Sequence, residues 1–326
     1  MPIDSNASYP LTMAEFAAHW QQVNFELNPD LLIVTPDKQS MTQAEFVTLR
    51  QTLEASFIDL VDRLNDVELA RAGIRAAKAT MLVRLNELLA YIDSYWAPTL
   101  LPQARPLVPS VTDGPGEFLK AMYDAMSLWE RMNEDDAPAG ITLPVVLADG
   151  TTQADFRASV LALNELYADE RSAIVSTTLS RAQRDAHKAR AYAVMKAYRQ
   201  AVPARCAGFP ILLETLPALS PKPGHTPDPV NVSAVFVPPD QSRVAYTPSD
   251  EPSLLRYELR GHPGDEYDAE DAVVVATNAP ADAPEFLTAF GLTQPGTRVA
   301  FKVYVVLQTG NVAGSAAVVV ERPADE

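Results

Sequence analysis

Cys206 is the only cysteine in 326 residues, which excludes an intrachain disulfide framework and any zinc site built from several thiolates. Basic residues are scarce too: 26 Lys and Arg face 42 Asp and Glu, a net charge of -16. That field repels polyanions unless a local basic face overrides it, so no nucleic-acid partner is expected. Both parts of the chain share the deficit: residues 222–326 hold 7 Lys and Arg against 15 Asp and Glu and so carry half of it. No apolar run approaches the roughly 18 residues of a membrane span. The opening MPIDSNASYPLT lacks a basic stretch followed by an apolar one. No Sec-type signal is expected, and the chain reads as cytoplasmic or as part of an assembled particle.

Signatures of catalysis are also missing. There is no G-x-S-x-G, no G-x-x-x-x-G-K-[ST] and no G-x-G-x-x-G. His19, His187, His225 and His262 fall in separate predicted elements, and none forms an H-x-x-x-H pair. Cys206 follows Pro203 at a predicted helix end and aligns with Trp96 in the repeat described next, which favours packing over nucleophilic chemistry. No catalytic residue, cofactor or metal is assigned, and the chain is expected to be non-enzymatic.

What is present is an ordinary globular composition, 47% hydrophobic and 21% charged, long enough for two or three domains. Thr42–Phe46 reads TQAEF, and Thr152–Phe156 reads TQADF 110 residues later. At the same offset Phe57 pairs with Tyr167, Leu64 with Ile174, Leu69 with Leu179, Arg71 with Arg181 and Lys78 with Lys188. Upstream, Glu15–Phe16 answers Glu117–Phe118 at an offset of 102, aligning Phe16, Trp20 and Leu27 with Phe118, Met122 and Trp129. This is an internal duplication.

Each copy is expected to form a short helix (12–27, 116–133), a loop and two long helices. Phe46, Leu49, Leu53, Phe57, Leu60, Leu64 and Val67 make one apolar helical stripe. A second long helix, from about 69 to 95, starts with Ala72, Ala76 and Ala79 and ends with Leu85, Leu88, Leu89 and Ile92. Thr42 and Thr152 sit at N-caps, with Glu45 and Asp155 three positions on as capping-box acceptors. Turns are expected at Asp37–Lys38 and Asp149–Gly150. Two such hairpins would bury their open faces in a four-helix core about a pseudo-two-fold axis.

Prolines mark the joints: Pro98, Pro102, Pro106 and Pro109 after the first copy, and Pro203, Pro210, Pro217, Pro221, Pro223, Pro227 and Pro229 after the second. The expected division is 1–110 and 111–205 as the two helical repeats of one domain, 206–229 as a proline-rich linker, and 230–326 as a β domain. In that last part the pattern alternates through seven runs: 230–237, 242–247, 253–261, 272–277, 285–292, 298–307 and 316–322. Seven short strands between Pro, Gly, Asp and Asn clusters argue an antiparallel sandwich. The fold class is thus a duplicated all-α bundle followed by a seven-stranded β-sandwich.

The stretch FLTAFGLTQPGTRVAFKVYVVLQTGNVAGSAAVVV resembles the last three strands of a fibronectin type III domain: a leucine-bearing strand, a strand alternating around Tyr304, and a Gly-Asn loop into the final strand. The resemblance covers about 229–323. The tryptophan usual in that family's second strand is Tyr246 here. The resemblance implies a spacer or binding module.

Two charged stretches remain. Arg181, Arg184, Lys188, Lys196 and Arg199 form a basic stripe on the last long helix, which either binds an anion or pairs with Asp59, Asp62 and Asp66 of the first copy, the preferred expectation. DEYDAED places Asp265, Glu266, Asp268, Glu270 and Asp271 between two strands as weak calcium candidates, without the order of a helix-loop-helix site. Asn231 begins an N-V-S sequon. The functional expectation is a structural or protein-interaction protein that contacts partner chains or self-assembles, with 230–237 and 316–322 as pairing edges. The alternative is a ligand- or carbohydrate-binding accessory module with Tyr257 or Tyr267 as a platform.

Overall fold

Both threonine caps form. The Thr42 N–H donates to the Glu45 carboxylate at 2.7 Å and the Glu45 N–H donates back to the Thr42 hydroxyl at 3.3 Å. Thr152 and Asp155 repeat this at 3.0 and 3.2 Å, the shorter carboxylate closing the box as well. The computed structural model of the chain describes residues 3, 5–35, 38–96, 101–134, 138–221 and 224–324. Asp37, Pro98 and Pro223, placed at a turn and at two joints by the sequence, lie outside the described residues.

From the caps run two helices of 53 residues each, α2 (Gln43–Tyr95) and α4 (Gln153–Arg205). The helical hairpins expected from the sequence are therefore absent: each pair of long helices is one continuous helix. The physical reason lies in 67–72, which holds no proline and no turn cluster. Gly73 costs only about 1 kcal/mol in a helix interior and does not stop propagation. The short helices α1 (Tyr9–Glu26) and α3 (Pro115–Glu134) precede them. A two-residue ladder of β1 (Ile33–Val34) and β2 (Ser40–Met41) leads into α2.

The chain divides into two compact units, Met1–Glu68 with Val175–Glu326, and Leu69–Ile174. In the first, Met13, Phe16 and Trp20 of α1 pack with Phe46, Leu53 and Phe57 of α2 and with Val194, Met195 and Tyr198 of α4. In the second, Phe118, Met122 and Trp129 of α3 pack with Phe156, Val160 and Leu163 of α4 and with Leu85, Leu88 and Ile92 of α2. Each helical core thus takes the start of a long helix from one copy and the end of a long helix from the other. Within each unit α2 and α4 run antiparallel, as Thr177 to Arg63 (3.3 Å) in the first and Arg84 to Ser159 (3.2 Å) in the second illustrate.

An indole N–H unpaired in such a core costs on the order of 1–3 kcal/mol. Trp20 donates to the Leu31 carbonyl at 3.1 Å, and the Leu31 N–H is held by Asn24 at 2.9 Å. Trp129 donates to Val145 at 3.3 Å, whose N–H is held by Asn133 at 2.8 Å. The shared Trp-x-x-x-Asn sets the offset of the short helices at 109, not the 102 expected from the Glu-Phe match. Buried Met13, Phe16, Trp20 and Val23 then fall on Met122, Ala125, Trp129 and Met132, all buried.

The start of the stretch expected as a proline-rich linker packs on the first helical core. Pro203 lies inside α4, and α5 (Pro210–Glu214) sends Leu212 into the first core, with Leu213, Leu216 and Leu219 against it. The Ile3 N–H donates to the Leu219 carbonyl at 2.9 Å.

Antiparallel sheets follow. β3 (Val232–Val237), β4 (Gln241–Tyr246) and β7 (Glu285–Thr288) form a three-stranded sheet in the order β3-β4-β7. β5 (Leu254–Pro263), β6 (Val273–Asn278), β8 (Arg298–Leu307), β9 (Val312–Gly314) and β10 (Val318–Glu321) form a second, in the order β10-β8-β5-β6 with β9 also on β8. Both sheets face one core of Val244, Phe286, Leu259, Phe301, Val303 and Val320. The expected seven strands are eight, because a short β9 forms ahead of the expected last run of 316–322, with Ser315 between it and β10. The Ser315 hydroxyl accepts from the Val303 N–H at 3.0 Å in place of a backbone carbonyl, and the pairing with β8 slips by one residue across it. Tyr246 is a core residue, its ring 4.6 Å from Tyr257 and 5.3 Å from Phe286.

Candidate functional site

The basic stripe on α4 and the acidic loop after β5, separate signals in the sequence, meet within the first unit. Arg184 donates to the Asp271 carboxylate at 2.8 Å and to the Glu270 carbonyl at 2.9 Å, and Arg181 pairs with the same carboxylate. Asp271 and Arg184 are only 1% and 3% exposed, so this is a buried ion pair. Asn6 closes the loop from the other side, donating to the Glu270 carbonyl at 2.6 Å and to its carboxylate at 2.8 Å.

The expected partners of the stripe are corrected accordingly. Asp59 and Asp66 pair with Arg63 on their own helix at 3.4 and 3.5 Å, and Asp59 also accepts from Ser180. Lys188 is held by Asp185 at 3.1 Å and lies over the Tyr9 ring. Among the calcium candidates, Asp271 faces two guanidinium groups, Asp265 lies 3.8 Å from Arg298, and Asp268 accepts from the Glu270 N–H at 2.8 Å. The Glu266 carbonyl accepts from His262 at 2.8 Å. Among the described residues no three His, Cys, Asp or Glu side chains gather as a metal would need.

Beside this ion pair lies an apolar cleft of about 550 Å³. One wall is the outer flank of α2, where Glu54, Phe57, Ile58 and Val61 recur at helical spacing, with Pro10 of α1. The other is Val273, Val274 and Val275 of β6 with Thr288 and Phe290. Phe290 lies across β5 at Gly261, where a Cβ would come within 2.8 Å of its ring. Phe57 is buried, whereas Ile58 is 65% exposed and faces the recess. Among the described residues the one ionisable lining residue is Glu54, which lies 3.4 Å from Arg50. Ile58 and Val61 fall off the buried stripe of α2, and that off-stripe placement was the available sequence signal for the cleft.

The remaining sequence candidates are dispersed. His19 and Cys206 lie in the first helical core, where burial pushes the Cys206 thiol up. His187 lines a polar groove of about 520 Å³ with Ser56, Ser176, Ser180 and Gln183. His225 contacts Glu251 at 2.9 Å on the surface. Tyr257 is in the sheet core and offers no platform. Tyr267 is half-buried against Lys302 and Tyr304, and burial raises its pKa. Among the described residues no helix is long and apolar enough to cross a membrane.

No family model matches the chain, and no curated protein does. Solved structures with local similarity include a Fn3-like protein from Clostridium thermocellum, 17% identical over 31% of this chain and 99% of that one, with a TM-score of 0.25. Others are the FN1–FN3 domains of chicken CNTN1, at 15% identity over 32% and 33% of the chains with a TM-score of 0.25, and pectate lyase PelI from Erwinia chrysanthemi, at 20% identity with a TM-score of 0.24. The PelI match covers 28% of either chain. At such scores the likeness assigns neither an activity nor a family.

Proposed function

We propose that the protein is a non-enzymatic interaction and assembly protein, in which a helical core holds a fibronectin type III-like sandwich and the sandwich offers its outer sheet face to a partner chain or a second copy. The observation that carries this reading is a row of side chains across β3, β4 and β7. Val235 stands opposite Arg243, and Arg243 opposite Leu287. Val235 and Leu287 are 55% and 58% exposed, although strands of this kind usually keep apolar residues on the core side. The buried Arg184–Asp271 pair supports the same reading, because a fixed sandwich presents that face in one orientation. Light scattering on a sizing column across a concentration series tests it. The mass is expected to rise above 35.4 kDa with concentration and to return to it in Val235→Lys/Leu287→Lys. A wild-type mass of one chain at every concentration overturns self-assembly.

A second reading, a ligand-binding accessory module, is favoured by the apolar cleft between α2 and β6.

A further inference from the structure

The geometry points to an elongated apolar molecule ending in an amine as the occupant of the cleft between α2 and β6, an inference that rests on the ligand-binding reading and names its substrate class.

Size and shape argue for a small molecule. A recess of about 550 Å³ with apolar walls on both sides falls within the roughly 300–1,000 Å³ typical of small-ligand sites. Addition of a peptide strand to β6 is disfavoured by the strand itself. Ala276 pairs with Leu259 and Val274 with Arg260, so Val275 is an extra residue that breaks the regular edge a β-peptide would need.

Charge selects the end group. Among the described residues Glu54 is the one ionisable side chain lining the cleft, and no cation lines it. An apolar carboxylate would be desolvated there without a partner and would face Glu54 within a chain of net charge -16. An alkylammonium group places its charge at Glu54 and its chain along Ile58, Val61 and Phe290. The existing partner of Glu54 is a weak competitor, since Arg50 approaches only to 3.4 Å and both side chains are partly solvated.

The test uses the full-length chain, with N-phenyl-1-naphthylamine as a neutral fluorescent probe and dodecylamine and laurate as competitors below their micelle-forming concentrations. Saturable one-site probe binding is expected, with dodecylamine displacing the probe at about tenfold lower concentration than laurate, the scale of one charge-assisted hydrogen bond. Glu54→Gln should bring the displacing concentrations of the two competitors close together. Ile58→Lys, at an exposed position compatible with folding, should weaken probe and amine alike. Absence of saturable probe binding, or binding indifferent to Ile58→Lys, removes the cleft as a ligand site and sinks the ligand-binding reading with it. Saturable binding in which laurate competes as well as dodecylamine leaves the site standing and overturns the ligand class.

Discussion

The two helical cores are copies of one design that differ at a few positions, and the differences show what each was adapted to. Trp20 and Trp129 make the same bond to a carbonyl held by an asparagine. Lys188 lies over Tyr9 in the first core, and Lys78 lies over Phe118 in the second, equivalent residues in equivalent contact. At the next repeated cation the cores part. Arg71 pairs with Glu170 at 3.2 Å, partly exposed, whereas Arg181 joins Arg184 on the buried Asp271. Ile74 stands in the second core at the position of Arg184, buried among apolar neighbours. Duplication has kept the packing skeleton and changed the residues that face the sandwich.

Removing the carboxylate on each side should sharpen that comparison most. Asp271→Ala leaves the nearly buried Arg184 guanidinium with only the half-exposed Asp185, 3.0 Å away, as a carboxylate partner, and the expected loss is toward the lower end of about 3–5 kcal/mol. Glu170→Ala removes a solvent-screened partner and should cost about 0–1 kcal/mol. Urea unfolding followed by circular dichroism measures both. Similar losses for the two variants would show that the Arg184–Asp271 pair has no special part in fixing the sandwich.

The halves of that pair were visible in the sequence as an unusual basic stripe and an acidic loop, but pairing them needs residues 181, 184 and 271 brought together, which no local pattern encodes. Local physics was readable wherever it was local. The two capping boxes, the short helices and the alternation of the sheet region all follow from spacing. The continuous α2 is also written there, in the lack of any proline or turn cluster between Gln43 and Tyr95, but the alanines at 72, 76 and 79 mimic the start of a new helix. The offset of the short helices failed because Glu-Phe is a two-residue match, while Trp20 with Asn24 and Trp129 with Asn133 acquire their meaning from a loop carbonyl. The cleft was hidden because its walls come from α2 and β6, more than 200 residues apart.

A smaller effect separates the interiors of the cores. His19 accepts the Tyr198 hydroxyl at 2.7 Å, and at the equivalent positions the second core has Leu128 and Leu88. One buried polar pair has replaced, or been replaced by, one buried leucine pair. His19→Leu alone strands the Tyr198 hydroxyl and the Leu212 carbonyl, at an expected cost of about 1–3 kcal/mol. His19→Leu/Tyr198→Leu recreates the pattern of the other core and should recover most of that loss. A double variant as damaged as the sum of its parts would mean that the two cores are not interchangeable at this position.

The smallest expected difference is in pH response, and its sign follows from the tautomer. The Leu212 carbonyl can only accept, so His19 Nε2 carries the proton at 2.9 Å from it and Nδ1 holds the lone pair that receives Tyr198. Protonating Nδ1 would reverse that bond, leaving the Tyr198 O–H to find another acceptor inside the core and burying a charge. Burial accordingly holds the His19 pKa below its ordinary 6.5, with the Leu212 bond opposing in part. A histidine that folds neutral contributes stability that is fully present above the unfolded value and fades as pH falls through it toward the lower folded value. Hydrogen exchange over 9–26 should therefore quicken as pH drops from about 6.5 to 5, after correction for the intrinsic exchange rate and before most carboxylates titrate. Over 115–134, where Leu128 occupies the site, the corrected rates should change less, and His19→Leu/Tyr198→Leu should bring the first core to the behaviour of the second. Equal pH dependence of both segments in the wild type would remove His19 as the group that tells the two cores apart.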